Sequence, residues 1–103
     1  MEIKFTKDGE ILTIVPEGRL DTNTSEQFKR ETLEHFDGDV ASIIFDFKSV
    51  DYISSVGLRV LLLVYKQLSG RSMKIINANH SVMDIMNITG LSGTFDIEGD
   101  TDK

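Results

Sequence analysis

The chain is 103 residues long, with 40% hydrophobic residues, 27% charged residues and a formal net charge of -6. Those values fit one globular domain. That charge disfavours partners that are themselves polyanions, nucleic acid and anionic membrane surfaces alike. No cysteine is present, which removes disulfides, thiolate catalysis and cysteine-based metal sites together.

Ile3 and Phe5 alternate with Glu2, Lys4 and Thr6, which predicts a half-buried strand. Asp8-Gly9 is a tight-turn signal, so Ile11 to Val15 completes an antiparallel hairpin. Pro16 limits the ladder of that second strand, and Gly18-Arg19-Leu20 continues it past a bulge. In the polar stretch Asp21-Thr22-Asn23-Thr24, both Thr24 with Gln27 and Asn23 with Glu26 fit a capping box. A helix is expected from about Ser25 to Phe36, with Phe28, Leu33 and Phe36 mainly on one face and Gly38 as its stop.

Ile43 to Phe47 is a short apolar run without clean alternation, which predicts a central strand covered on both faces. Lys48 to Ser55 reads as a loop. The next helix, about Ser55 to Leu68, carries apolar residues nearly all round and is expected to be mostly buried, ending at Gly70. Met73 to Ile76 reads as a strand. Val82, Ile85 and Met86 mark a short third helix beginning near Asn79 to Ser81 and closed by Gly90. Phe95 and Ile97 suit a last edge strand or a packed tail. Residues 98–103 are polar and expected to fray. The order is that of an α/β domain over residues 1–97, with a mostly parallel sheet and one antiparallel edge.

The N-terminal stretch has no basic region followed by an apolar one, so no signal peptide is read. The longest apolar run, Val60 to Tyr65, is far too short to span a membrane. The expected location is the cytoplasm.

The chemistry concentrates between the strand ending at Phe47 and the helix that follows. Ser54 and Ser55 fall at that helix N-terminus, on the side where open α/β sheets bind their ligands, and either hydroxyl can cap free amides there. Gly57, one turn inside, lowers helix propensity by roughly 1 kcal/mol relative to Ala, which makes sense where a backbone or partner approaches closely.

A hydrolase needs more than a serine. No G-x-S-x-G elbow is present, and only His35 and His80 are available as bases, one at a helix end and one at a helix start. No P-loop exists, and two isolated histidines lack metal-ligand spacing. No enzyme, cofactor or metal is therefore expected. A serine modified by another protein survives this elimination. A phosphate there adds about -1.5 to -2 charges that free amides and the helix dipole can hold. Asp21, Asp46 and Asp51 are expected nearby, where added charge is unwelcome to a partner.

At this point the residues match a family. Tyr52-Ile53-Ser54-Ser55-Val56-Gly57-Leu58-Arg59-Val60-Leu61-Leu62 resembles the signature of STAS domains, most closely the anti-sigma factor antagonists. Gly18-Arg19-Leu20-Asp21 with Thr22-Asn23-Thr24 resembles their second motif, and Asn87-Ile88-Thr89-Gly90-Leu91 the end of their third helix. The resemblance implies a four- to five-stranded mixed sheet with three to four helices mainly on one side. It further implies that Ser55 is phosphorylated by a partner kinase of the GHKL type, itself an anti-sigma factor. The unmodified chain binds that kinase and frees a sigma factor; phosphorylation ends the contact and a phosphatase restores it. Asp21, Thr22, Asn23, Thr24, Ser54, Val56, Gly57, Leu58 and Arg59 then form the contact surface. Where the best-known members often carry aspartate before the phosphoacceptor, this chain has Ser54, which removes a charge and adds a hydroxyl. The alternative is a STAS subunit of another assembly, such as a lipid-transport ATPase complex or a relay without sigma factors.

Overall fold

Alternation of apolar and polar residues builds the first hairpin. Strand β1 (Glu2–Asp8) turns at Gly9 into β2 (Ile11–Leu20), and the two pair antiparallel with Phe5 opposite Ile14. The structure, a computed structural model, describes residues 1–36 and 38–99. After the hairpin come α1 (Ser25–His35), β3 (Ser42–Asp46), β4 (Val50–Ile53), α2 (Ser55–Gln67), β5 (Ser72–Ala78), α3 (His80–Thr89), a 3₁₀ turn (Leu91–Gly93) and β6 (Asp96–Gly99).

The strands form one six-stranded mixed sheet in the order β1-β2-β3-β5-β6, with β4 paired to β2. Every pairing after the hairpin is parallel. At ten residues, β2 is long enough to serve two successive neighbours. It pairs with β3 over Ile11 to Ile14 and with β4 over Gly18 to Leu20. Pro16 falls in the gap between those two pairings, where its missing N–H takes nothing from either parallel ladder. The strand therefore runs unbroken through the proline.

One face of the sheet carries Leu12, Ile14, Ile43, Phe45, Met73 and Ile75, all buried beneath Phe28, Leu61, Val64, Val82 and Met86 of the helices. The Phe28 and Phe45 rings meet at 5.6 Å. Burying each large side chain contributes roughly 1.5–3 kcal/mol, so this face holds the fold together. The other face, with Thr13, Val15, Ile44 and Ile76, is only half-buried.

Several expectations are corrected. Ile43 to Phe47 is not covered on both faces: burial alternates along β3, because helices cover one side only. The segment read as a loop, Lys48 to Ser55, contains β4. Its alternation is hidden because Asp51 is an extra residue: Gly18 pairs with Val50 and Arg19 already with Tyr52. The expected bulge at Gly18 is this same irregularity, and Gly18 takes φ +104° to accommodate it. With β4 and β6 counted, the sheet has six strands where four to five were expected.

Helix α2 is not buried all round, since Leu63 and Tyr65 stand 38% and 40% exposed. On α1 the inward position one turn after Phe28 belongs to Thr32, and Leu33 is half-buried. Glu98 and Gly99 belong to β6, paired with β5, and are not part of a frayed tail; residues 100–103 lie outside the described residues.

Candidate functional site

Two chain segments leave the sheet side by side at the carboxyl ends of β2 and β4. Leu20 and Ile53 are register partners, and Ser54 N–H donates to Leu20 C=O at 2.8 Å. The register thus brings Asp21 to Thr24 next to Ser54 to Arg59, joining residues that the sequence separates by some thirty positions.

The β2–α1 segment is ordered by its own side chains. Asp21 Oδ1 accepts from the N–H of Asn23 at 2.9 Å and of Thr24 at 3.2 Å. Thr24 Oγ1 accepts from Asp21 N–H at 3.0 Å and donates to Arg19 C=O. The expected capping box does not form: Thr24 occupies the N-cap of α1 but makes no side-chain cap bond there. Its hydroxyl is already engaged with Arg19 and Asp21, so the turn is stabilised as an Asx-type motif instead. Asp21 Oδ2 lies 3.8 Å from Arg19 Nε, and the Arg19 guanidinium stacks over the Tyr52 ring at 4.8 Å.

The two serines take different jobs. Ser54 is extended (φ -94°, ψ 174°), and its Oγ accepts from Gly57 N–H at 3.3 Å, making it the N-cap of α2. Ser55 is the first helical residue, exposed, and its hydroxyl bonds to no described residue. Amides in the first turn of a helix have no intrahelical acceptor, and the Ser54 cap satisfies only that of Gly57.

Of the other residues the sequence grouped here, Thr22 and Asn23 are exposed, Val56 is half-buried and Arg59 is exposed. Gly57 and Leu58 face inward, Leu58 being 5% exposed. The close approach that Gly57 permits is made by its own fold. A Cβ there would lie 2.9 Å from Leu20 O and 2.8 Å from Ile53 Cγ1. These two residues support the surface from beneath. Asp46 does not turn to the serines: its Oδ1 accepts from Asn77 Nδ2 at 3.0 Å and Lys48 N–H at 3.1 Å. Asp51 is the exposed bulge residue of β4.

Beside Ser55 runs a shallow groove of about 220 Å³ between α1 and α2, lined by Ser25, Glu26, Lys29, Val56, Arg59, Val60 and Leu63. Sequence reasoning missed its α1 wall and its far end. The spacing Val56, Val60, Leu63 was a usable signal, since i, i+4, i+7 marks one helix stripe. The histidines are engaged elsewhere. His35 stacks on Phe5 at 3.7 Å with its Nδ1 donating to Glu31 C=O at 2.9 Å, and His80 pairs with Asp84 at 3.5 Å. Among the described residues there is no group of three or more His, Cys, Asp or Glu able to hold a metal, and no helix long and apolar enough to cross a membrane.

The mostly parallel sheet has one antiparallel edge and helices on one face, and at the carboxyl ends of its strands Ser54 caps α2 while Ser55 stays exposed. The STAS domain family profile matches residues 2–103, and the chain belongs to that family. It is 28% identical over 99 residues to BtrV of Bordetella bronchiseptica, a candidate anti-sigma factor antagonist, covering 94% of this chain and 85% of the relative. Among solved structures it resembles an anti-sigma factor antagonist from Mycobacterium paratuberculosis (TM-score 0.87, 18% identity, 98% of this chain and 87% of the other). It also resembles the antagonist SpoIIAA in its unphosphorylated form (TM-score 0.80, 21% identity, 98% and 90%). The phosphorylated form of SpoIIAA, from Bacillus, matches with a TM-score of 0.72 at 20% identity over 98% and 94%. At these identities the structural likeness speaks to the fold.

Proposed function

We propose that this chain is an anti-sigma factor antagonist, a binding module that engages an anti-sigma factor and thereby frees a sigma factor. The anti-sigma factor is a serine kinase of the GHKL type, and it ends the contact by phosphorylating Ser55; a phosphatase restores the unmodified state. The similarity to BtrV and SpoIIAA supports the class. The observation that carries the choice of residue is the division of labour at the α2 N-terminus. Ser54 Oγ is engaged as the cap, whereas Ser55 Oγ is exposed and bonds to no described residue.

In the transfer, Ser55 Oγ attacks the γ-phosphorus of ATP, ADP leaves, and a kinase base takes the hydroxyl proton. The product gains about -1.5 to -2 charges on a corner that already holds Asp21. Helix α2 tolerates the group, because its open first-turn amides and dipole favour an anion. The partner surface does not, since burying an unpaired dianion in an interface is strongly unfavourable. The contact surface comprises Asp21 to Thr24 with Ser54, Ser55, Val56 and Arg59, held in place by Gly57 and Leu58.

The test is to incubate the chain with GHKL-type kinases from its own genome and ATP and to map the product by mass spectrometry. Phosphate on Ser55, absent from Ser55→Ala and retained in Ser54→Ala, is the expected result. Modification of Ser54 instead overturns the assignment. Persistent lack of phosphate together with copurification of a transporter ATPase would replace this function with that of a transport-complex subunit.

A further inference from the structure

Arg59, which the family resemblance puts on the contact surface, gains a second role from its position in α2. Ser55 and Arg59 are four residues apart in α2 (Ser55–Gln67). At that spacing side chains are neighbours on one helix face, with Cβ atoms about 5–6 Å apart. Both residues are exposed. An anion one turn N-terminal to a cation is the favourable orientation of such a pair. The buried residues between them, Gly57 against Leu20 and Leu58 in the core, hold that turn of the helix to the sheet.

The neighbouring cations are engaged. Lys29 pairs with Glu26 at 3.6 Å across one turn of α1. Arg19 is held between Asp21 and the Tyr52 ring. Arg59 forms no ion pair or hydrogen bond with any described residue, and α2 has no acidic residue in its first turn. Arg59 lines the α1–α2 groove together with Val56 and Val60, a cationic residue beside apolar neighbours.

We infer that Arg59 is the counter-ion of a phosphate on Ser55, so that the modification closes onto its own helix and withdraws the guanidinium from the groove. The inference rests on the phosphorylation of Ser55 proposed above. A guanidinium binds phosphate oxygens through paired N–H donors, and the open amides of Ser55 and Val56 complete the cradle. Phosphorylation then acts twice on a partner: it adds charge at Ser55 and removes a cation four residues on. The other charges bordering this corner are Glu26 and Lys29 from α1, Asp21 and Arg19 from β2 and its turn, and Asp51 from β4.

The experiment uses the full chain with phosphoserine incorporated at position 55 during synthesis, followed by ³¹P NMR across pH. The second phosphate ionisation normally lies near about pH 6. In Arg59→Gln it should lie about 0.5 pH unit higher than in the parent, a difference expected for one solvent-exposed i,i+4 pair with a dianion. Lys29→Gln should move it by no more than about 0.1 unit, because Lys29 is paired with Glu26. The Arg59 Nε–Hε resonance should shift on phosphorylation, and about 0.5 M NaCl should narrow the gap between parent and Arg59→Gln. Coincident titration curves for parent and Arg59→Gln overturn the inference, as does a larger shift in Lys29→Gln. Because the phosphate is installed without a kinase, this result separates from the kinase assay. Coincident curves with a phosphorylated Ser55 reject the role of Arg59 alone. Separated curves in a chain that no kinase modifies reject the proposed function alone.

Discussion

Replacing Gly57 with alanine should destabilise the protein even though alanine is the better helix former. In an open helix the exchange gains up to about 1 kcal/mol of propensity. Here the new methyl would sit 2.8 Å from Ile53 Cγ1, 2.9 Å from Leu20 O and 3.1 Å from Leu20 Cβ. Ile53 has some freedom to rotate; Leu20 O does not. That carbonyl accepts from Ser54 N–H at 2.8 Å, and Leu20 itself is fully buried and paired with Ile53. The strain of overpacking is typically about 1–3 kcal/mol, and a rigid backbone contact belongs in the upper half of that range. The net loss is about 1–2 kcal/mol, or roughly 5–10 °C in melting temperature for a domain of this size. Urea and thermal unfolding measure it. Gly93→Ala is the control, since a Cβ at Gly93 has nothing within 4 Å, and it should leave stability unchanged within about 0.5 kcal/mol. A Gly57→Ala protein as stable as the parent would refute the packing argument. It would mean that α2 is free to slide over the end of β2, and that Ser55 is held far less firmly than the geometry indicates.

Asn79 joins α3 to β4: its Oδ1 accepts from Val82 N–H at 2.9 Å, and its Nδ2 donates to Val50 C=O at 3.0 Å and Asp51 C=O at 3.3 Å. Asn79→Ala should lower stability by about 1.5–2.5 kcal/mol in urea titration, and Asn79→Asp, which keeps the cap and loses the donors, should fall between. Arg71 holds the opposite end of the domain, with Nη1 on Val40 C=O at 2.7 Å, Nε on Leu68 C=O at 3.2 Å and its guanidinium over the Phe36 ring at 4.4 Å. Arg71→Lys cannot reproduce the planar fork and should still lose about 1–2 kcal/mol by thermal unfolding; parity with the parent would show these contacts to be incidental. Glu98, hydrogen-bonded to Lys74 at 2.8 Å, raises the lysine pKa above its ordinary 10.5, through the hydrogen bond first and the carboxylate charge second. A folded-state pKa above the unfolded one contributes stability that is fully present below the unfolded value and lost as pH rises through the folded one. The β5–β6 edge should therefore loosen only above about pH 10.5. Lys74 should titrate lower in Glu98→Gln by NMR, and an unchanged midpoint would remove the pair from the account.

The sequence by itself determined the opening hairpin, the three helices and the strands β3 and β5, in their order. Those follow from local periodicity: Ile3 and Phe5 alternate, Val82, Ile85 and Met86 repeat at helical spacing, and Asp8-Gly9 turns the chain. It also carried the motif around Ser54 and Ser55, because a cap and the helix it starts are contiguous. What it could not carry was anything set by pairing at a distance. β4 was invisible because Asp51 is inserted against β2, so the pattern of burial breaks at the very residue that bends the strand. The capping box at Thr24 was a sound local reading overruled when Asp21 and Arg19 claimed the same hydroxyl. Gly57 showed that something approaches closely, and only the packed sheet showed that it is Leu20. The choice between the serines depended on the same contact. Once Leu20 holds the Ser54 amide, Ser54 is extended and turned to cap α2, and Ser55 is left facing solvent one turn below Arg59. Local sequence specifies which conformations are available to each segment; the register between β2 and β4, a long-range packing decision, selects which hydroxyl is free.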